Sequence, residues 1–253
     1  MSDSLTRFSS RVEDYAKYRP TYPAAVIDLF KSACGLTENS IIADVGSGTG
    51  ILAELFLENG NKVLGIEPNA PMRQVAEKNF REYQNFVSVD ATAEDTTLER
   101  SSVDFITAAQ AFHWFDRIKA RPEFARILKP GGWVVLIWNE RRVASTSFLR
   151  DYEDLLLRYG TDYSRVRHEN VGTEIGEFYA PQTLELKSLE NVQHFDYQGL
   201  KGRTRSASYT PEPGAPAFEP MFAELQEIFN AYQIDGMVTV EYDTRVYYGQ
   251  LSA

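Results

Sequence analysis

The chain has 253 residues, 43% apolar and 13% aromatic, which fills the core of one large α/β domain or two small ones and excludes a disordered or fibrous protein. Lys and Arg total 26 against 36 Asp and Glu, and the formal net charge of -10 argues against a surface built to grip a nucleic-acid backbone and for a small partner. One cysteine, Cys34, excludes an internal disulfide framework and suits a reducing, cytoplasmic setting, and the longest purely apolar run, Trp133 to Trp138, is far short of a membrane span.

The N-terminus carries acidic and Arg residues where a signal peptide has an apolar core. Arg7 to Lys17 is amphipathic at helical spacing, Arg19 to Pro23 is a proline-bounded break, and Ala24 to Ala33 predicts a second helix that holds Cys34 as a packing residue at its end. Ile41–Val45 predicts a buried strand ending in glycines. There follow a helix at Gly50–Glu58, a strand at Lys62–Ile66, a helix at Ala70–Phe80 and a strand at Phe86–Val89 that stops at Asp90. Val103–Ala109 predicts a fourth strand, Asp116–Leu128 a helix that tolerates Pro122 near its start, and Trp133–Trp138 a fifth strand. Apolar strands alternating with helices call for a parallel, doubly wound sheet.

After Asn139 the rhythm changes. A charged helix at Phe148–Tyr159 leads into a Gly-, Arg-, His- and Glu-rich stretch from Gly160 to Gly176 that reads as an insertion or lid. Leu184–Leu189 and Val192–Tyr197 predict a strand and its neighbour, Ala217–Tyr232 a helix, and Val238–Tyr248 a strand, with a late hairpin on the sheet edge. No repeat or linker divides the chain, so residues 1–253 read as one domain: a helical cap over 1–38, a cofactor-binding core over 39–140, and a lid and substrate segment with the C-terminal strands over 141–253.

The most informative segment is Asp44-Val45-Gly46-Ser47-Gly48-Thr49-Gly50, where the first strand turns into the first core helix. Glycines there let the backbone turn sharply and approach a ligand, and the helix N-terminus offers free N–H groups. A dinucleotide fingerprint needs Gly or Ala at the sixth position of GxGxxG, where this chain has Ile51. Glu67 ends the second strand, where a carboxylate can accept bonds from adjacent ribose hydroxyls. Asp90-Ala91 follows the third strand, where a carboxylate or backbone N–H can reach an adenine edge.

Asp44 to Gly50, Glu67, Asp90-Ala91 and the Leu128-Lys129-Pro130-Gly131-Gly132 turn, in that order, resemble a class I S-adenosylmethionine-dependent methyltransferase over roughly Ile41 to Asn139. Within that superfamily, Arg7-Phe8, Asp14-Tyr15 and Tyr18-Arg19-Pro20-Thr21-Tyr22-Pro23, with Ala109-Gln110-Ala111-Phe112-His113-Trp114-Phe115, are similar to a small-molecule branch that includes trans-aconitate methyltransferase-like proteins. The resemblance implies a Rossmann-like seven-stranded sheet with its last strand antiparallel, and S-adenosylmethionine as cofactor. It places Gly46, Gly48 and Gly50, with Ser47, around the methionine portion, Glu67 and Pro68 at the ribose, and Asp90 and Ala91 at the adenine. Asp44 lies beneath the loop near the methionine amino group.

Methyl transfer from a positively charged sulfur needs alignment more than a nucleophile. This agrees with the absence of a GxSxG elbow or HExxH motif and with three scattered histidines, His113, His168 and His194, so no metal is expected. Gln110 ends the fourth strand at the edge where doubly wound folds place ligands, and His113 is the candidate general base or substrate donor; the alternative is that it only shapes the loop. Trp114, Tyr15, Tyr18 and Arg19 are candidates for the substrate side, with the N-terminal segment as a lid and Arg19 or a tyrosine hydroxyl also able to meet the cofactor's carboxylate. Arg141, Arg142, Arg203 and Arg205 can bind an anionic substrate, although solvated surface positions are the expectation for them. The function expected is methyl transfer to a small organic molecule; a nicotinamide-dependent oxidoreductase and a non-catalytic cofactor-binding module are the alternatives.

Overall fold

A computed structural model describes residues 12–163 and 171–251. Its strands are β1 (Ile41–Val45), β2 (Lys62–Ile66), β3 (Phe86–Val89), β4 (Val103–Ala109), β5 (Leu128–Arg141), β6 (Leu184–Phe195) and β7 (Val238–Gly249). Its helices are α1 (Val12–Tyr18), α2 (Ala25–Cys34), α3 (Ile51–Glu58), α4 (Ala70–Asn79), α5 (Arg117–Ile127), α6 (Ser147–Tyr159), α7 (Val171–Tyr179), α8 (Tyr197–Arg205) and α9 (Phe218–Tyr232). The strands form one seven-stranded sheet in the order β3-β2-β1-β4-β5-β7-β6. β1 to β5 are parallel, and β7 enters antiparallel to both β5 and β6. The strand order reverses between β1 and β4, so the carboxyl ends of these two strands open a crevice for a ligand.

Side chains alternate between the two faces. In β5, Val134, Leu136 and Trp138 join one buried cluster with Phe112, Phe124 and Phe178, whereas Val135 and Ile137 join another with Phe30, Phe56 and Phe80. α5 and α7 cover the first face; α2, α3 and α4 cover the second. A third cluster packs α6, α8 and α9 against the ends of β6 and β7 through Leu149, Leu156, Leu200, Leu225 and Val240. Each such side chain, fully buried, contributes about 1.5–3 kcal/mol.

The first four strands fall on the predicted ranges, and the first core helix begins one residue later than predicted, because Gly50 is its cap in a left-handed conformation. Asn69 and Asp116 cap α4 and α5, accepting bonds from Met72 N and Lys119 N. Four expectations need correction. β5 begins at Leu128, because the Lys129 to Gly132 segment continues the strand through a register shift opposite Val103 and Phe105. The predicted strand and neighbour at 184–197 are one strand, β6. The late hairpin is a β6–β7 pair joined through α8 and α9 rather than a tight turn. α7 and α8 have no predicted counterpart. Cys34 is buried as expected, and burial pushes its thiol up to about 12. Arg7, Phe8 and His168 lie outside the described residues.

Candidate functional site

The loop after β1 is held from below and left open above. Gly46 N and Ser47 N both donate to the Ile66 carbonyl, at 2.8 and 3.1 Å. Gly46 has φ 69°, and a Cβ there would stand 2.6 Å from Ala111 Cβ, so only glycine fits. Gly50 is equally constrained by φ 90° and by the Phe80 ring. At Gly48 the nearest atom to such a Cβ is the Met72 sulfur, 3.8 Å away, so this part of the loop faces free space. Ser47 is half-buried in the same turn.

Two buried oxygens of this segment have no partner, Asp44 Oδ2 and Thr49 Oγ1. Asp44 is 1% exposed, and its other oxygen accepts from Thr107 Oγ1 at 2.8 Å. Burial pushes the Asp44 carboxyl up to about 7 against the lowering effect of the Thr107 bond, and nearby Glu67 adds to the rise. Glu67 is also buried. Its Oε2 accepts from Gly48 N and its Oε1 from Asn69 N, both at 2.8 Å, which ties the glycine loop to the end of β2. Burial raises its pKa, and these backbone bonds and Arg73 oppose the rise. Each carboxylate oxygen keeps a lone pair for a hydroxyl donor. An acid with an unpaired oxygen, a paired acid at the next strand end and a glycine turn open at Gly48 fit a ligand that offers an amino group and hydroxyls.

The other predicted residues divide. Asp90 is two-thirds exposed and forms a two-pronged ion pair with Arg73, which also donates to the Glu67 carbonyl at 2.8 Å. Its carboxylate is committed to a cation, whereas Ala91 is buried and Pro68 is exposed beside Glu67. Gln110 has φ 55° and donates through Nε2 to the Asn139 carbonyl at 3.2 Å, turning the chain into the loop that rests on Gly46. His113 is half-buried with its ring 4.7 Å from that of Trp114, and Trp114 is 40% exposed.

The N-terminal segment straps across this region. Tyr18 seats its ring against Gly202 of α8. The Arg19 guanidinium lies 4.8 Å over the Tyr15 ring and donates to the Ser206 carbonyl at 3.0 Å. Asn139 and Asn191 donate to the Thr21 carbonyl at 3.1 and 2.7 Å, and Asn139 Oδ1 in turn accepts from Asn191 and Thr244. Tyr22, on this strap, is buried, and its hydroxyl pKa is raised first by burial and then by Tyr15 and Asp44.

The expectation of solvated arginines fails at two positions. Arg141 is buried and bonds Glu153 and the Tyr163 hydroxyl, and Arg203 is 6% exposed with its Nε on the Tyr242 hydroxyl at 3.1 Å. Arg142 meets the expectation in an ion-pair network with Asp243 and Glu190, and Arg205 is exposed. Sequence reading also passed over Arg73, Thr107 and Asn139, each of which is visible only through its partner elsewhere in the chain, and gave no role to Thr49 and Tyr22 within the motifs that contain them.

Five parallel strands, a crevice at β1 and β4, and a glycine turn against an acid at the end of β2 define a Rossmann-like nucleotide-binding protein. A family model described as a methyltransferase domain matches residues 43–136. An uncharacterized methyltransferase of Schizosaccharomyces pombe is 32% identical over 246 residues, 94% of this chain and 96% of that protein. One from Mycobacterium tuberculosis is 37% identical over 139 residues, so the chain spans about half of that relative's length, 54%. The solved structure of a putative type II methyltransferase from Anaeromyxobacter dehalogenans superposes with a TM-score of 0.70 at 21% identity, over 93% of this chain and 100% of that one. The chain belongs to the S-adenosylmethionine-dependent methyltransferases. Among the described residues no helix is long and apolar enough to cross a membrane, and no group of His, Cys, Asp and Glu is placed to hold a metal.

Proposed function

We propose that this methyltransferase acts on a small organic molecule in the cytoplasm, as one domain over residues 1–253, by aligning acceptor and donor without a covalent enzyme intermediate. The observation that carries the reading is the unpartnered buried oxygen of Asp44 beneath a glycine turn open at Gly48. Bound S-adenosylmethionine supplies a methyl carbon on a positively charged sulfur, which leaves as a neutral thioether. Gly46, Ser47, Gly48 and Gly50 flank its methionine portion and Asp44 accepts from its amino group. Glu67 accepts from the ribose hydroxyls with Pro68 at the rim, and Ala91, beside Asp90, meets the adenine. Gln110 holds the boundary between donor and acceptor. Tyr15, Tyr18, Arg19 and Trp114 line the acceptor side and exclude water, and His113 takes or gives the one proton that an acceptor with a bound hydrogen must lose. Alignment of this kind accounts for roughly 7 to 11 kcal/mol of barrier lowering. The likeness of the Tyr15–Pro23 strap and the Ala109–Phe115 loop to the trans-aconitate-type branch belongs with this reading.

Calorimetric titration with S-adenosylhomocysteine tests it. Saturable binding is expected, and no heat or thermal shift at millimolar ligand, together with binding of NAD, overturns it.

A further inference from the structure

The sheet ends in two edge strands of different length. β3 has 4 residues, whereas β6 has 12, and among the described residues no strand pairs with its outer edge. From Asn191 on, β6 is engaged with the strap: Asn191 donates to the Thr21 carbonyl at 2.7 Å and Gln193 Nε2 to the Arg19 carbonyl at 3.4 Å. The first half is bare. Glu185, Leu186, Lys187 and Ser188 are exposed in succession, so side chains on both faces of the strand meet solvent, and Leu186 is 46% exposed. Free backbone N–H and C=O groups along an edge are a template for another strand, and a lysine is a common guard against it. Lys187 stands opposite Val246 of β7 and has no ion pair among the described residues. Glu185, two positions earlier, accepts from the Tyr248 hydroxyl at 2.9 Å through Oε2 and keeps its other oxygen free for a cation.

These two charges make the edge complementary to itself. In an antiparallel ladder, facing residues either both direct their backbone groups at the partner strand or both direct them away. When two copies of one strand pair, facing residues are therefore an even number of positions apart. Lys187 and Glu190, an odd number apart, cannot face each other, but Glu185 and Lys187 can. They do so only when the two-fold axis passes through Leu186. A centre at Glu185, Lys187 or Glu190 sets a charge against its own copy, and the remaining centres in the strand bring no opposite charges together. The geometry points to a homodimer in which the β6 strands of two copies pair antiparallel about Leu186 and join the two sheets edge to edge. Glu185 then faces Lys187 twice on one side of the ladder, a cross-strand arrangement that stabilises an antiparallel pair. Leu186 meets its own counterpart on the other side, the side on which Leu184 packs. The guard against foreign strands is thus the key to a second copy. The crevice at β1 and β4 is separated from this edge by β7 and β5, so it stays open in the dimer. A ladder this short buries little surface, and the expected dissociation constant is on the order of 10 to 100 µM.

Sedimentation velocity of the full chain from about 5 to 500 µM reads the association, and a concentration-dependent shift from monomer to dimer is expected across that range. Lys187→Glu sets acid against acid at both ends and is expected to weaken the dimer roughly 10-fold or more. Combining it with Glu185→Lys exchanges the two charges and is expected to restore much of the affinity. Circular dichroism checks that these exposed positions leave the fold intact. Facing residues lie about 4.5 to 5.5 Å apart between Cα atoms, within disulfide range. Mild oxidation of Leu186→Cys is therefore expected to give a covalent dimer, whereas Ser188→Cys, which faces Leu184, gives none; buried Cys34 is the background in both. A monomer at every concentration overturns the proposal, and leaves the edge to a strand from another protein or to none. A dimer that Lys187→Glu does not weaken, or that oxidation links through Ser188→Cys as readily as through Leu186→Cys, overturns it too.

Discussion

Asp44 makes the chemistry of the loop depend on pH. The carboxyl titrates near 3.8 in an unfolded chain and at about 7 when folded. Between these values the folded state binds the extra proton, so stability falls as pH rises from about 4 to about 7, by about 4 kcal/mol in all. Asp44→Asn removes this slope. In denaturant titrations the variant is expected to match the wild type at pH 4 and to exceed it at pH 8, while binding S-adenosylhomocysteine far more weakly at both. The wild type thus keeps a destabilising acid at the position proposed to meet the cofactor's amino group. Burial raises the pKa of Glu67 as well, but its two oxygens satisfy Gly48 N and Asn69 N. Glu67→Ala leaves two backbone donors without partners and is expected to cost about 2 to 4 kcal/mol in thermal or chemical unfolding, besides weakening cofactor binding.

Individual elements show why the strap stays in place. α1 rests on α8 because Gly202 has no side chain where Tyr18 packs, and the carbonyls after α1 are held by Asn139 and Asn191. Gly202→Val displaces Tyr18, and trypsin is expected to cut after Lys17 faster than in the wild type while the sheet keeps its circular-dichroism signature. Asn139→Ala strands the Thr244 hydroxyl and the Asn191 amide, with an expected loss of roughly 1 to 3 kcal/mol in stability. Both glycines of α8, Gly199 and Gly202, made its sequence look like loop, although the second exists for the tyrosine it accommodates. α7 was hidden similarly by Gly172 and Gly176. β6 read as two pieces because Glu190 and Asn191 interrupt its apolar pattern, yet Asn191 turns inward to hold Thr21. β1 to β4, by contrast, were legible to the residue, since short apolar runs bounded by glycine or acid carry their own limits. The glycine loop and Glu67 were legible for the same reason. Arg203 was not, because nothing local distinguishes an arginine that is buried from one that is solvated.

At the scale of the whole molecule the two halves have separate cores. The sheet faces carry the cofactor loop, whereas Tyr152 and Tyr242, which flank Arg203, belong to the cluster of α6, α8 and α9. Leu225→Ala, at a fully buried position in that cluster, is expected to lower unfolding free energy by about 2–5 kcal/mol. Acceptor turnover should fall with temperature before S-adenosylhomocysteine binding does, a difference that paired activity and calorimetric measurements across a temperature series would show.

The antiparallel entry of β7 carries a consequence for synthesis. The far edge of β5 and the whole of β6 find their ladder partner only in β7, the last strand to be made. On the ribosome, the segment through Arg141 can assemble a nucleotide cradle while β6 waits without a ladder partner, and a chain stalled before Val238 leaves raw strand edges open to other chains. The nascent chain thus completes its glycine loop and the acid that ties it to β2 before the ladder that closes the sheet exists.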